Sequence, residues 1–298
     1  MSTSAPQSLF DRPLARARLE RAWRSRRPQS GADFLLSRAT SELLERLSLI
    51  KRSFAVTLDL GAPGPHVAQA LSASGSFGFV ARLAPIAASV GRGAFASFVA
   101  DEERLPIADA SCDLIVSLLA LQGVNDLPGA MIQPRRALRP DGLFIACLMA
   151  GDSLNELRQS LIIAESEIRS GASPRVAPFA DVRALGGLLQ RAGFALPVVD
   201  LDRVIVRYGD MIALMRDLRA FGATNVLNDR SRKPLRRDVL ARAGQVYAER
   251  FADADGRLRA TFDMVWLSGW APHESQQKPL KPGSARMRLE DALKAGRG

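Results

Sequence analysis

Residues 58–65, LDLGAPGP, are the first place where this sequence could do chemistry. Asp59 closes an apolar run and is followed at once by Gly61, Ala62 and Gly64. Glycines let a backbone approach a ligand closely, and the free N–H groups at a strand-to-helix turn suit a dinucleotide-like cofactor. The same turn also occurs for purely structural reasons, and the loop alone does not separate the two. Elsewhere, chemically capable residues are sparse. Two histidines, His66 and His273, are too few for a His-based metal site, and no metal ligand set is expected. Cys112 and Cys147 sit in the apolar segments CDLIVSLLAL and LFIACLMA, which suits buried, reduced thiols. His273, in HESQ, reads as a surface or capping residue rather than a general base, and Trp266 and Trp270 read as core packing.

Positioning such a loop requires a sheet. Helices are expected over 8–26 and 33–50; in the second, Phe34, Leu35, Leu43, Leu44, Leu47 and Ile50 recur at helical spacing. FAVTLDL (54–60) is a short apolar run ending in a Gly/Pro loop, the pattern of a buried strand. A helix over 66–73 follows, then strands over 77–81, 94–100 and 112–121, and a helix over 127–138. RPDG (139–142) reads as a turn feeding a fifth strand over 143–149. This alternation predicts a parallel α/β sheet with right-handed crossovers. Ligands of such sheets bind beyond the carboxyl ends of the strands, here the loops after Leu60, Ala81 and Ala100. Beyond 150 the pattern predicts a helix over 152–169 capped by Asp152 or Ser153, and a helix over 181–192 ended by Gly193. A two-part strand over 195–208, helices near 210–220 and 235–252, and a last strand over 261–270 complete it, with a loose polar tail from 272.

The 298 residues, 47% hydrophobic and 24% charged, exclude general disorder. No charge-free apolar stretch reaches the roughly 18 residues of a membrane-spanning helix, two cysteines exclude a disulfide framework, and the N-terminus lacks the apolar core of a secretory signal. Lys and Arg number 41 against 31 Asp and Glu, and 36 of the 41 are Arg. Arginine forks suit phosphate and carboxylate. No basic run is interleaved with aromatics, so no nucleic-acid partner is expected. Arg12, Arg16, Arg24, Arg26 and Arg27 read either as a solvated helix face or as a contact surface for an acidic partner or for membrane phosphates. Arg135, Arg136 and Arg139 read as complements to a helix dipole.

The order LDLG, ADEERLP, CDLIVSLLALQGVNDLP and LRPDGLFIA resembles the class I S-adenosylmethionine-dependent methyltransferases. LFDR, GDSLNELRQSL, SPRVAPF, LLQRAGF and HESQ, outside that core, look like the branch of the methyltransferase-like assembly factor of respiratory complex I and its bacterial relatives. The resemblance covers nearly the whole chain. It implies an α/β fold with a seven-stranded Rossmann-like sheet, its last strand antiparallel, N-terminal helices over 1–52 and a cofactor core over 53–150. A helical insertion with the last strands over 151–271 and a tail over 272–298 follow.

The resemblance further implies S-adenosylmethionine across Asp59, Gly61, Ala62, Gly64, Arg82, Asp101, Glu102 and Leu118. Several of these depart from the family pattern. Its GxGxG places are Gly61, Pro63 and Pro65, and proline has no N–H to offer. The acidic residue that accepts from the ribose hydroxyls is Arg82, whose guanidinium only donates. The family's His-Trp is Gln122-Gly123. Asp101 and Glu102 match the acidic pair near the adenine, and Asp59 reads as a loop-orienting residue. No catalytic residue is assigned. The leading expectation is a protein that acts on, or escorts, a protein partner such as a complex I iron–sulfur subunit, with arginine hydroxylase-like or methyltransferase activity. An inactive assembly factor with the same fold and a malonyl-carrier-protein-type methyltransferase are the alternatives. Because LFDR lies so close to Met1, no cleaved transit peptide is expected, and the bacterial cytoplasm, with contact at the inner membrane, is the anticipated location.

Overall fold

The computed structural model describes residues 8–25, 33–90 and 94–277. Seven strands share one sheet: β1 (Phe54–Leu60), β2 (Phe77–Ala84), β3 (Ala96–Val99), β4 (Cys112–Leu118), β5 (Leu138–Ala150), β6 (Ala195–Tyr208) and β7 (Leu258–Trp270). Their spatial order is β3-β2-β1-β4-β5-β7-β6, and β7 runs antiparallel to both its neighbours. This is the seven-stranded α/β sheet expected, with the antiparallel strand inserted second from one edge. Helices α1 (Arg12–Arg24), α2 (Phe34–Ser48), α3 (His66–Ala73), α4 (Leu127–Ala137), α5 (Asn155–Arg169), α6 (Val182–Arg191), α7 (Met211–Ala220) and α8 (Arg237–Phe251) surround it.

Two apolar clusters form the core, one on each face of the sheet. Residues of α2, α3, α5, α7 and α8 cover one face, and residues of α4 and α6 cover the other. In α2, Leu35, Ala39, Leu43 and Leu47 recur every fourth residue, and all are buried. Each fully buried leucine of this kind contributes about 1.5–3 kcal/mol. Trp266 is buried with the Arg46 guanidinium 4.6 Å from its ring centroid, and the half-buried Trp270 lies 5.6 Å beneath Arg52.

Three local expectations are corrected. RPDG is not a turn before β5 but part of it: Leu138 pairs with Cys112 and Leu143 with Leu114, and Asp141 takes up the irregularity at φ 63°. Neither Asp152 nor Ser153 caps α5, which starts at Asn155 after a left-handed Leu154. Both residues turn instead to Asp263 of β7: the Asp152 amide donates to Asp263 Oδ2 at 2.9 Å, and Ser153 Oγ accepts from the Asp263 amide at 2.9 Å. The segment 195–208 is one strand, with a register slip between Ala195 and Val198, where Leu196 has φ 49°.

β2 continues three residues past its expected end, to Ala84, because β3 pairs with Ala81–Ala84. Arg82 therefore lies within the sheet, directly opposite Asp59. The N-terminal arm is tied down from the far side of the chain. The Asp11 amide donates to Val226 O at 2.8 Å, the Asn228 amide donates to Leu9 O at 3.0 Å, and Gly222, at φ +78°, makes room for Leu19. Asp11 caps α1 by accepting from the Leu14 amide at 3.1 Å.

Candidate functional site: a methyltransferase-type cleft

At the carboxyl end of β1 and β2, Asp59 and Arg82 face one another with no solvent exposure, Oδ2 lying 3.6 Å from Nε. The Arg82 fork donates to Ser89 O at 2.6 Å, to Ala62 O at 2.9 Å and to Ser89 Oγ at 3.4 Å. One guanidinium thus pins the glycine loop after β1 to the 3-10 turn at Ala87–Ser89 that follows β2. Arg82 Nε and both Asp59 oxygens lack regular hydrogen bonds, although the Ala62 and Ala68 amides lie near the carboxylate. Burial pushes the Asp59 carboxyl up to about 7 against the pull of Arg82. The same burial lowers the pKa of Arg82.

The loop itself is closed by the chain's own side chains. Gly61 has φ +76°, and a Cβ there would sit 2.6 Å from Glu102 Cγ. Gly61, Ala62 and Gly64 are all buried. Pro65 occupies the position before α3 and offers no N–H. His66 Nε2 lies 3.4 Å from Asp33 Oδ2. Leu118 is fully buried in an apolar cluster.

Beyond β3, the acidic ridge Asp101–Glu102–Glu103 is met by α1. Arg12 donates to Asp101 Oδ1 at 2.9 Å and to Glu102, lies 3.5 Å from Glu103 Oε2, and reaches Gly123 O at 3.1 Å. Arg16 binds the second oxygen of Asp101. Burial raises the pKa of Glu102 even against Arg12. Burial would also raise Asp101, but the Glu103 amide, Arg12 and Arg16 outweigh it and hold that carboxyl at about 2. Gln122 turns back to Leu119 O at 2.7 Å.

These residues do not fit S-adenosylmethionine. Arg82, which the resemblance puts in place of the ribose acceptor, is a donor whose terminal nitrogens already donate to Ala62 and Ser89. The Glu102 side chain covers the glycine that the amino-acid end of the cofactor would approach. Asp101, which would face the adenine, carries two arginines. Much of the polar surface of such a site is thus engaged internally, with Asp59 and Arg82 Nε facing each other as an ion pair.

The structure brings Asp59, Gly61, Ala62, Arg82, Asp101 and Glu102 together as one cluster, with Gly64 buried in the same loop, while Leu118 belongs to the core. It corrects the N-terminal arginines. Arg12 and Arg16 point at the acidic ridge rather than outward, and Arg24 pairs with Glu20 at 2.6 Å. Arg26 and Arg27 lie outside the described residues. Arg135 donates to Gly193 O at 3.1 Å, and Arg136 and Arg139 pair with Asp109 and Asp113 at 2.7 and 2.9 Å. Sequence reasoning did not find the Arg12 clamp, although LFDR contained it. It also missed Arg203, bound at 2.7 and 2.9 Å to both oxygens of the buried Asp263, and Glu156, bound to the Thr261 hydroxyl.

A methyltransferase-domain family model matches residues 58–146. The chain is 37% identical to the mitochondrial arginine-hydroxylase NDUFAF5 of Danio rerio over 305 residues, 99% of this chain and 93% of that protein. To the Homo sapiens protein it is 40% identical over 291 residues, 95% and 83% of the two chains. A malonyl-[acyl-carrier protein] O-methyltransferase of Methylovorus is 33% identical over 94% of this chain and 97% of that protein. Among solved structures, a methyltransferase-class protein of Bacillus halodurans superposes with TM-score 0.54 at 12% identity, over 78% of this chain and 99% of that one. The [4+2]-cyclase SpnF does so with TM-score 0.51 at 14% identity, over 91% and 99%. Such identities speak to the fold alone. The whole-chain relatives speak to descent: this protein belongs to the class I methyltransferase family, in the group that includes the mitochondrial arginine-hydroxylase NDUFAF5.

Proposed function

We propose that this protein acts in the assembly of respiratory complex I by engaging a protein partner, such as an iron–sulfur subunit, and that it does so without S-adenosylmethionine. The whole-chain likeness to the arginine-hydroxylase NDUFAF5 proteins supports the partner class. The observation that carries the cofactor-free reading is the buried Arg82, which ties Ala62 and Ser89 together at the end of β2, the position that the resemblance gives to the ribose acceptor. A fold that supplies its own charges in the cleft keeps its shape without a ligand, as a scaffold for a protein partner must. This reading locates the protein in the bacterial cytoplasm, next to the membrane where complex I is built.

Deletion of the gene tests it. The reading expects membranes with strongly reduced NADH:quinone reductase activity and a partly assembled complex, rescued by the wild-type gene. Normal complex I in the deletion strain would refute the assembly role.

A further inference from the structure

Against Arg12 and Arg16, which face inward, α1 carries Arg18 and Arg21 in a different setting. Arg18 donates to Thr224 Oγ1 at 3.0 Å and to Asn225 O, and has no carboxylate partner among the described residues. Arg21 and Arg219 are exposed and have no ion pair among the described residues. Leu19 against Gly222 brings the end of α7 alongside α1, and Arg230 crosses to Asp11 at 3.1 Å. Arg18 thus lies within electrostatic range of Arg230, Arg21 and Arg219, and burial, followed by this crowding, lowers its pKa against the opposite pull of Asp11. The chain then continues RSRKPLRR, five basic residues in the eight positions 230–237, with Arg232 close enough to Asp11 to act on it. Of the acids nearby, Asp11 is engaged by Arg230 and Glu20 by Arg24, which leaves Asp229 as the exposed acidic residue of the loop.

Like charges that are held close together and outnumber their acidic partners destabilise a fold, and an external anion relieves that repulsion. We propose that the surface formed by the exposed Arg21, Arg219 and Arg232, with Arg18 and Arg230 adding their charge from behind it, is a docking face for the carboxylate-rich surface of a partner protein. Arginine forks held in place by the 224–230 loop favour paired carboxylates over a diffuse cloud of lipid charge. α7 and the 230–237 segment have none of the large exposed apolar side chains by which surface helices enter a membrane. The proposal rests on the protein-partner reading above and gives that partner a chemistry. Because α1 also holds the acidic ridge through Arg12, docking here acts on the same element that closes the cleft.

The test uses the full chain and a fluorescent oligo-glutamate peptide, read by anisotropy at low and at about physiological salt. The variant Arg21→Glu/Arg219→Glu/Arg232→Glu alters the patch. Arg183→Glu/Arg191→Glu/Arg257→Glu makes an equal charge change on exposed arginines elsewhere. Matching circular dichroism and melting curves establish that both variants fold. The expected result is salt-sensitive binding that falls about tenfold or more in the patch variant and less than about threefold in the control. Equal losses in both variants, or no binding by wild type at low salt, would overturn the proposal. So would tighter wild-type binding to phosphatidylglycerol-containing vesicles than to the peptide, lost with the patch. Normal complex I in a deletion strain would sink the assembly role and leave this binding result standing.

Discussion

Replacing Arg82 with methionine keeps most of the apolar stem and removes the guanidinium. Asp59 then loses its counter-ion inside a fully buried site, and the carbonyls of Ala62 and Ser89 lose their donor. Removing one member of a buried ion pair costs about 3–5 kcal/mol. Two orphaned carbonyls add about 1 kcal/mol each. Protonation of Asp59 returns part of the total, since burial already holds that carboxyl near 7 and the loss of Arg82 removes a lowering influence. The net expectation is a loss of about 3–5 kcal/mol, or a melting temperature lower by roughly 10 °C for a protein of this size. The sign of the pH dependence follows from the raised pKa. Asp59 binds its proton more tightly folded than unfolded, so the variant's stability is greatest below about 4 and falls as pH rises toward and past 7. Urea and thermal unfolding followed by circular dichroism at several pH values measure both quantities. The double variant Arg82→Met/Asp59→Leu removes the stranded acid and should recover about 2 kcal/mol relative to the single variant. A single variant within about 1 kcal/mol of wild type, or a double variant worse than the single, would refute this view of the pair.

Further outcomes follow from the same contacts. Asp101, held at about 2 by the Glu103 amide and its two arginines, contributes stability that is present above its ordinary 3.8 and is lost as pH falls from there toward 2, so α1 should loosen over that interval. Fluorescence of Trp23, on α1, reads that release; a signal flat from neutral pH to about 2 would contradict the clamp. Gly61→Ala forces a side chain into a left-handed residue and toward Glu102, at a cost of about 2 kcal/mol, with faster proteolysis of the N-terminal arm as its second signature. Asp263→Asn weakens the charged bonds from Arg203; because Arg203 is half exposed, urea unfolding should show a loss of about 1–2 kcal/mol.

Much of the scaffold was legible because its signals are local. β1 and α3 match their expected spans residue for residue: a continuous apolar run, a Pro/Gly loop and an eight-residue helix each declare themselves within a few positions. Where a partner far along the chain decides, local signals mislead. RPDG has the chemistry of a turn, but pairing of its flanking residues with β4 and the backbone bonds of Asp141 and Gly142 to Ala271, just past β7, hold it in the sheet. Asp152 and Ser153 look like caps, but Asp263, more than a hundred residues away, takes both. Arg82 stands out in the sequence as a basic residue at the end of β2, and the structure puts it opposite Asp59. Its burial and its partner Asp59 depend on the β1–β2 register and on β3 extending β2, which no motif encodes. Arg12 reaches the ridge only through the tether of its arm to residues 226–228.

The central claim is that Arg82, Glu102 and Arg12 stand where a cofactor would have to bind. Isothermal titration of the purified, ligand-stripped protein with S-adenosylmethionine and S-adenosylhomocysteine tests it most directly. The account predicts no binding heat up to about millimolar ligand, where ordinary members of such a fold would saturate if their affinity were near −8 kcal/mol. Saturable binding in the micromolar range would contradict it, because the cleft would then have to open and Arg82 and Glu102 would have to give up their present partners.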